Sequence, residues 1–237
     1  MRQVAEEAHA TSTGIDAEIL TYLSEWLGGL TSQSESVYVL SMSKDHNKLS
    51  QWKGFTTYGQ GVCLSIDSVL LVKRMQAQGW TFQNCRYNLM SQLTWADAIL
   101  SRIRREAATN YSGIEGEKKK IFDSVLQKCL PDLLQVAAIM KHRAFVDESE
   151  VRFISPMINI SDSWVSYRTR PGRATRIPYV EFRLADDPEN LSIDEVMVGP
   201  GPEQHLVKSS IVTSLKENSV RAPWRVSLSD IPYRELP

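Results

Sequence analysis

The sequence predicts an α+β fold with a mostly antiparallel sheet and a central helical insertion, and three observations carry that prediction. Short runs of β-branched and aromatic residues recur on both sides of the middle of the chain, as in "SVYVLSM", "GVCLSID", "EVRFISP" and "DEVMVGP". Between them, from about residue 91 to 140, the apolar residues follow the helical period instead. Turn residues punctuate the short runs, and no repeat, low-complexity tract or linker interrupts the chain, so residues 1–237 are expected to form a single domain.

The elements follow in order. Asp16 is placed to cap a helix through "AEILTYLSEWL", with Ile19, Leu20, Leu23, Trp26 and Leu27 on one face and Gly28-Gly29 ending it. "SVYVLSM" and "GVCLSID" read as strands. Asp67 then caps "SVLLVKRMQAQ", which Gly79 stops, and "WTFQNCRYN" resumes a strand. The insertion reads as two long helices, the second expected to bend near Pro131, because proline removes a hydrogen bond and crowds the preceding turn. Beyond Lys141 come four more strand-like runs, an amphipathic helix in "GPEQHLVKSSIVTSLKEN", and a last edge strand in "WRVSLS".

Composition narrows the function classes. The chain has 237 residues, 42% hydrophobic and 23% charged, with a formal net charge of −1. That is long enough to bury a core, and the charge offers no general attraction to nucleic acid or anionic membrane. Cys63, Cys85 and Cys129 are far apart with no CxxC pair, and the four histidines are scattered, so neither a disulfide scaffold nor a metal site is expected. No apolar stretch approaches a membrane span, and "MRQVAEEAHATSTG" lacks the apolar run of a signal peptide. The expected location is cytoplasmic.

Three constellations could carry chemistry. In "NKLSQWKGFTTYGQGVCLSID", Trp52, Phe55 and Tyr58 crowd Gly59 and Gly61, with Ser41, Ser43, Asp45 and Gln51 nearby. An aromatic beside glycine suits close approach of a flat ligand, and it equally suits a cap on the core. In "MKHRAFVDESEVRFIS", alternation along an extended chain would put Glu148, Glu150 and Arg152 on one face, with Lys141 and Arg143 as partners. A carboxylate there could take a proton, hold a sugar hydroxyl or stabilise an oxocarbenium-like centre, or it could belong to a structural ion-pair cluster. The run "YRTRPGRATR" brings Arg168, Arg170, Arg173 and Arg176 to a hairpin, which fits either a phosphate or RNA grip or a solvated turn.

Five blocks in order resemble a bacterial family, the domain-of-unknown-function 2971 family: "SMSKDHNKLSQWKGFTTYGQGVCLSID", "KHRAFVDESEVRFI", "IPYVEFRL", "IDEVMVGP" and "SLSDIPYR". The resemblance runs from about Val37 to Arg234. Members open with a Tyr-His-Tyr-Thr-like strand that is not evident here, where His9-Ala10-Thr11 stands in a different setting. The resemblance therefore implies a first strand that is truncated, trimmed or supplied by a partner chain. The family's layout is in turn similar to the ADP-ribosyltransferase superfamily. That second resemblance implies a transferase handling NAD or another nucleotide as substrate, of the kind found in bacterial phage defence and toxin-like systems. It implies Glu150 as the catalytic residue with Glu148 assisting. It further implies Ser43, Trp52 and Tyr58 as pocket wall, and Lys141 and Arg152 as orienting groups. The alternative is a non-catalytic ligand-binding or regulatory module. Nucleic-acid binding through Arg168 to Arg176 ranks below both.

Overall fold

The computed structural model describes residues 21–23, 25, 35–57, 60–110, 118–159, 161–162, 166–172, 176–181, 184, 193–218 and 225–232. Its strands are β1 (Glu35–Ser36), β2 (Val39–Ser43), β3 (Val62–Ile66), β4 (Thr81–Asn84), β5 (Glu150–Ile154), β6 (Ile158–Asn159), β7 (Ser166–Pro171), β8 (Arg176–Glu181), β9 (Ile193–Val198) and β10 (Arg225–Leu228). Its helices are α1 (Leu49–Phe55), α2 (Ser68–Ala77), α3 (Leu89–Asn110), α4 (Lys118–Ile139) and α5 (Gln204–Glu217), with a 3-10 helix over Arg143–Glu148. The α+β prediction holds, and the insertion is the α3–α4 hairpin. The strands divide into two three-stranded sheets, β2-β5-β4 and β10-β9-β3, and two pairs, β1-β6 and β7-β8. All pairings are antiparallel except β9 with β10, which α5 joins by a crossover.

The sheet built on β5 has two different faces. Leu40, Phe153 and Phe82 stand in register across its three strands, and with Met42 they pack against Leu71 and Met75 of α2 and against Trp80. The Phe82 and Phe153 rings lie 4.9 Å apart, within the range of favourable tilted pairs. Alternation sends Ser41, Ser43, Glu150, Arg152 and Gln83 to the opposite face, which is therefore polar.

That polar face is not left to water. The end of α4 lies over it, and Arg152 donates through Nη1 to the Ala138 carbonyl. The hairpin has its own core, in which Leu100, Ile103 and Ala107 of α3 meet Phe122, Val125, Leu126, Cys129 and Leu133 of α4, with Leu23 closing one side. The α4 helix runs on through Pro131, with no break in assignment at the place where the sequence predicts a bend.

Local signals set both ends of α2. The Asp67 carboxylate accepts from the Val69 and Leu70 amides at 2.8 and 3.1 Å, the expected cap of α2. Gly79 has φ 81, a left-handed conformation that glycine adopts without steric cost, and it closes that helix. Of the first predicted helix, residues 21–23 and 25 are helical; Asp16 and Gly28-Gly29 lie outside the described residues.

Candidate functional site

The stretch between the strands of "SVYVLSM" and "GVCLSID" contains a helix that the sequence does not predict. α1 begins without a side-chain cap and ends at Thr56, whose amide and hydroxyl both donate to the Trp52 carbonyl. It buries one side chain, Trp52, at 4% exposure. The indole ring packs close to Gly199 just after β9, where an added Cβ would fall 2.9 Å from two ring carbons. The indole N–H donates to Asn47 Oδ1 at 3.0 Å, and the same oxygen accepts from Ser229 Oγ at 2.7 Å. Asn47 Nδ2 donates to Asp230 Oδ1 at 2.7 Å. Trp52 is thus a buried plug between α1 and the second sheet, its ring close to Gly199 and its N–H bonded to Asn47. Tyr58 lies outside the described residues, and Phe55 is exposed.

Ser43 and Gln51 hold the segment before β5. Ser43 Oγ donates to the Glu148 carbonyl at 2.8 Å, and Gln51 Nε2 donates to Ser43 Oγ and to the same carbonyl at 2.6 and 3.2 Å. Lys48 Nζ reaches the Asp147 carbonyl at 2.8 Å, Ser149 Oγ at 3.0 Å and the Asp45 carboxylate at 2.7 Å. That contact with Lys48, with help from Ser149, lowers the Asp45 carboxyl.

Glu148 is the last residue of the 3-10 helix, and Ser149 follows with φ 45. The strand alternation expected across Glu148, Glu150 and Arg152 is therefore broken at Ser149. The two carboxylates still converge, because the turn swings Glu148 back so that both contact Lys141 Nζ. Lys141 also sits 5.1 Å from the Phe145 ring centroid, within cation–π range. Its backbone is pinned at both ends: its N–H donates to the Arg86 carbonyl, and Gln92 Nε2 donates to its own carbonyl.

Glu150 lies at the centre, with 6% of its surface exposed. Arg152 grips it through Nε on Oε1 at 2.8 Å and Nη2 on Oε2 at 3.1 Å, while Lys141 donates to Oε2. The Ser41 hydroxyl, one strand over, adds a further hydrogen bond. Burial by itself would raise this carboxyl, but the hydrogen bonds from Arg152, Lys141 and Ser41 outweigh it and hold it at about 2. Burial lowers and the carboxylates raise the Lys141 ammonium, with a net rise. Two neighbours not singled out from the sequence complete the cluster. Tyr87 accepts the Glu150 N–H on its hydroxyl at 2.8 Å, and the Cys85 thiol, pushed up to about 11 chiefly by burial, also bonds the carboxylate. Only their position after β4 could have pointed to them, since neither belongs to a motif.

Of the sequence-predicted site residues, Lys141, Glu148, Glu150 and Arg152 come together, and Ser43 supports them through the Glu148 carbonyl. Trp52 belongs to the other network around Asn47. Arg168 of the basic run pairs with Glu181 across the β7–β8 hairpin at 3.1 Å, and Arg173 lies outside the described residues. Among the described residues no group of His, Cys, Asp and Glu is arranged to hold a metal ion, and no helix is long and apolar enough to cross a membrane.

Residues 51–153 match the model of a family described as a protein of unknown function, DUF2971. This supports the family resemblance over that stretch. The DUF2971 segment starts beside Trp52 and ends one residue past Arg152, so it takes in the whole carboxylate–cation cluster except its two serines on β2. No curated protein and no solved structure matches the chain.

Proposed function

We propose that this chain is a non-catalytic binding or regulatory module in which Glu150 anchors structure. One observation carries the reading: both oxygens of the buried Glu150 carboxylate are already held by cations of the fold itself. Of the about four lone-pair sites of a carboxylate, Arg152 takes one on Oε1 and one on Oε2 and Lys141 another on Oε2, with the Ser41 hydroxyl in support. A glutamate that drives transfer must present an oxygen to a sugar hydroxyl or to the developing cation. Here that would require breaking a buried ion pair, which costs several kcal/mol before any chemistry begins, on the order of 3–5 kcal/mol.

The test is an assay of NAD hydrolysis and ADP-ribosyl transfer by the wild-type chain and by Glu150→Gln, with calorimetric titration of NAD alongside. The expected result is no turnover by either protein and a markedly lower melting temperature for the variant. NAD turnover by the wild type, lost in a variant that still folds, would overturn the reading in favour of the transferase.

A further inference from the structure

A cleft of about 570 Å³ opens between β2 and β8, two strands of different sheets. Its floor is Trp80 and its sides are the stretch from Ser36 to Leu40 and the stretch from Ile177 to Val180. The register of β2 decides which backbone groups face the opening. Ser155 N–H donates to the Tyr38 carbonyl and Lys44 N–H to the Ser149 carbonyl, so the even-numbered residues of this run turn their hydrogen-bonding groups toward β5. In an antiparallel ladder the alternate residues point the other way. Val37 and Val39 therefore direct their N–H and C=O groups away from β5, at the sheet edge that borders the cleft, and among the described residues nothing hydrogen-bonds to them there.

The opposite wall is built to accept a neighbour without competing for it. Pro178 stands in the middle of β8 and has no N–H to offer. Among the described residues, the one charged residue lining the cleft is Arg170, and no acidic residue lines it. Arg168, on the same strand, is already paired with Glu181, whereas Arg170 has no carboxylate partner among the described residues.

We propose that this cleft takes an extended, acidic peptide segment as an added strand on the free edge of β2. Val37 and Val39 would supply the main-chain hydrogen bonds, and Arg170 would supply the charge preference. The site depends on the edge of β2 and on β8, not on the Glu150 carboxylate, so it stands or falls separately from the non-catalytic reading above.

The probe is a fluorescein-labelled Glu-Val-Glu-Thr-Glu-Val peptide, compared with its counterpart carrying lysine for glutamate, by fluorescence anisotropy. The acidic peptide should bind saturably and at least about tenfold more tightly than the basic one, a difference of roughly 1.4 kcal/mol. Arg170→Ala should weaken it by a similar factor. Val39→Pro deletes an N–H that β5 does not use, so it should weaken binding at least about tenfold, and amide exchange at Val37 and Val39 in the wild type should slow when the peptide is added. If Val39→Pro does not fold, the exchange measurement decides alone. Absence of binding, equal affinity for both peptides, unchanged exchange at Val37 and Val39, or displacement of the peptide by an oligonucleotide would overturn the proposal.

Discussion

Glu150 sits where one residue's chemistry is set by partners from distant parts of the chain. Ser41, Lys141 and Arg152 reach it from β2, from the loop after α4 and from its own strand. Its carboxyl is held at about 2 against an ordinary 4.5, so the pairing stabilises the fold fully above pH 4.5 and is lost as the pH falls toward 2. Urea unfolding at pH 7 and at pH 3 should show that loss, on the order of 3 kcal/mol at its fullest, and Glu150→Gln should flatten the pH dependence. At pH 7 the same substitution should cost roughly 3–5 kcal/mol, because it leaves the partly buried Arg152 with no counter-charge and Lys141 with Glu148 alone. Asn47 is the second focus. Replacing it with alanine strands the Trp52 N–H and the Ser229 hydroxyl, and chemical denaturation should register a loss of about 1–3 kcal/mol. Glu-x-Glu-x-Arg was legible as a charged cluster from sequence. Asn47, Cys85 and Tyr87 were not, because their partners lie far away in the chain and no local pattern marks them.

At the scale of elements, the sequence was most informative where a local device decides. Asp67 caps α2 and Gly79 ends it, and β3, β5 and β9 occupy the β-branched runs that predict them. Two elements escaped. α1 is only seven residues long, has no side-chain cap and contains Gly54, a poor helix former, so its stability comes from docking Trp52 on Gly199 and not from propensity. The 3-10 helix before β5 escaped because the alternation of Glu148 and Glu150 imitates a strand, while Ser149 in fact reverses the chain. Packing makes a sharp prediction for each layer. Gly199→Ala forces a methyl into the Trp52 ring and should destabilise by about 1–3 kcal/mol. Leu133→Ala, fully buried in the α3–α4 hairpin, should cost about 2–5 kcal/mol; melting curves on both variants check the pair.

For the whole molecule, the α+β class was readable from the change of period between the two ends and the middle. The division into two sheets was not, since strand partners are set by contacts across more than a hundred residues, as between β2 and β5. That division has consequences for function. The α3–α4 hairpin lays its end over the polar face of the β5 sheet, where Glu150 is buried at the centre of the carboxylate–cation cluster. Among the described residues no strand pairs with the outer edge of β2, which borders a cleft beside β8. The molecule thus buries its most reactive-looking group and exposes an edge suited to a partner. The most direct test of that account is the carboxyl carbon resonance of Glu150, followed by NMR from pH 7 downward with and without NAD. A midpoint near 2 that NAD leaves unmoved is the expected result. A midpoint near or above the ordinary glutamate value, or a shift on adding NAD, would contradict the claim that this carboxylate is fully spent within the fold.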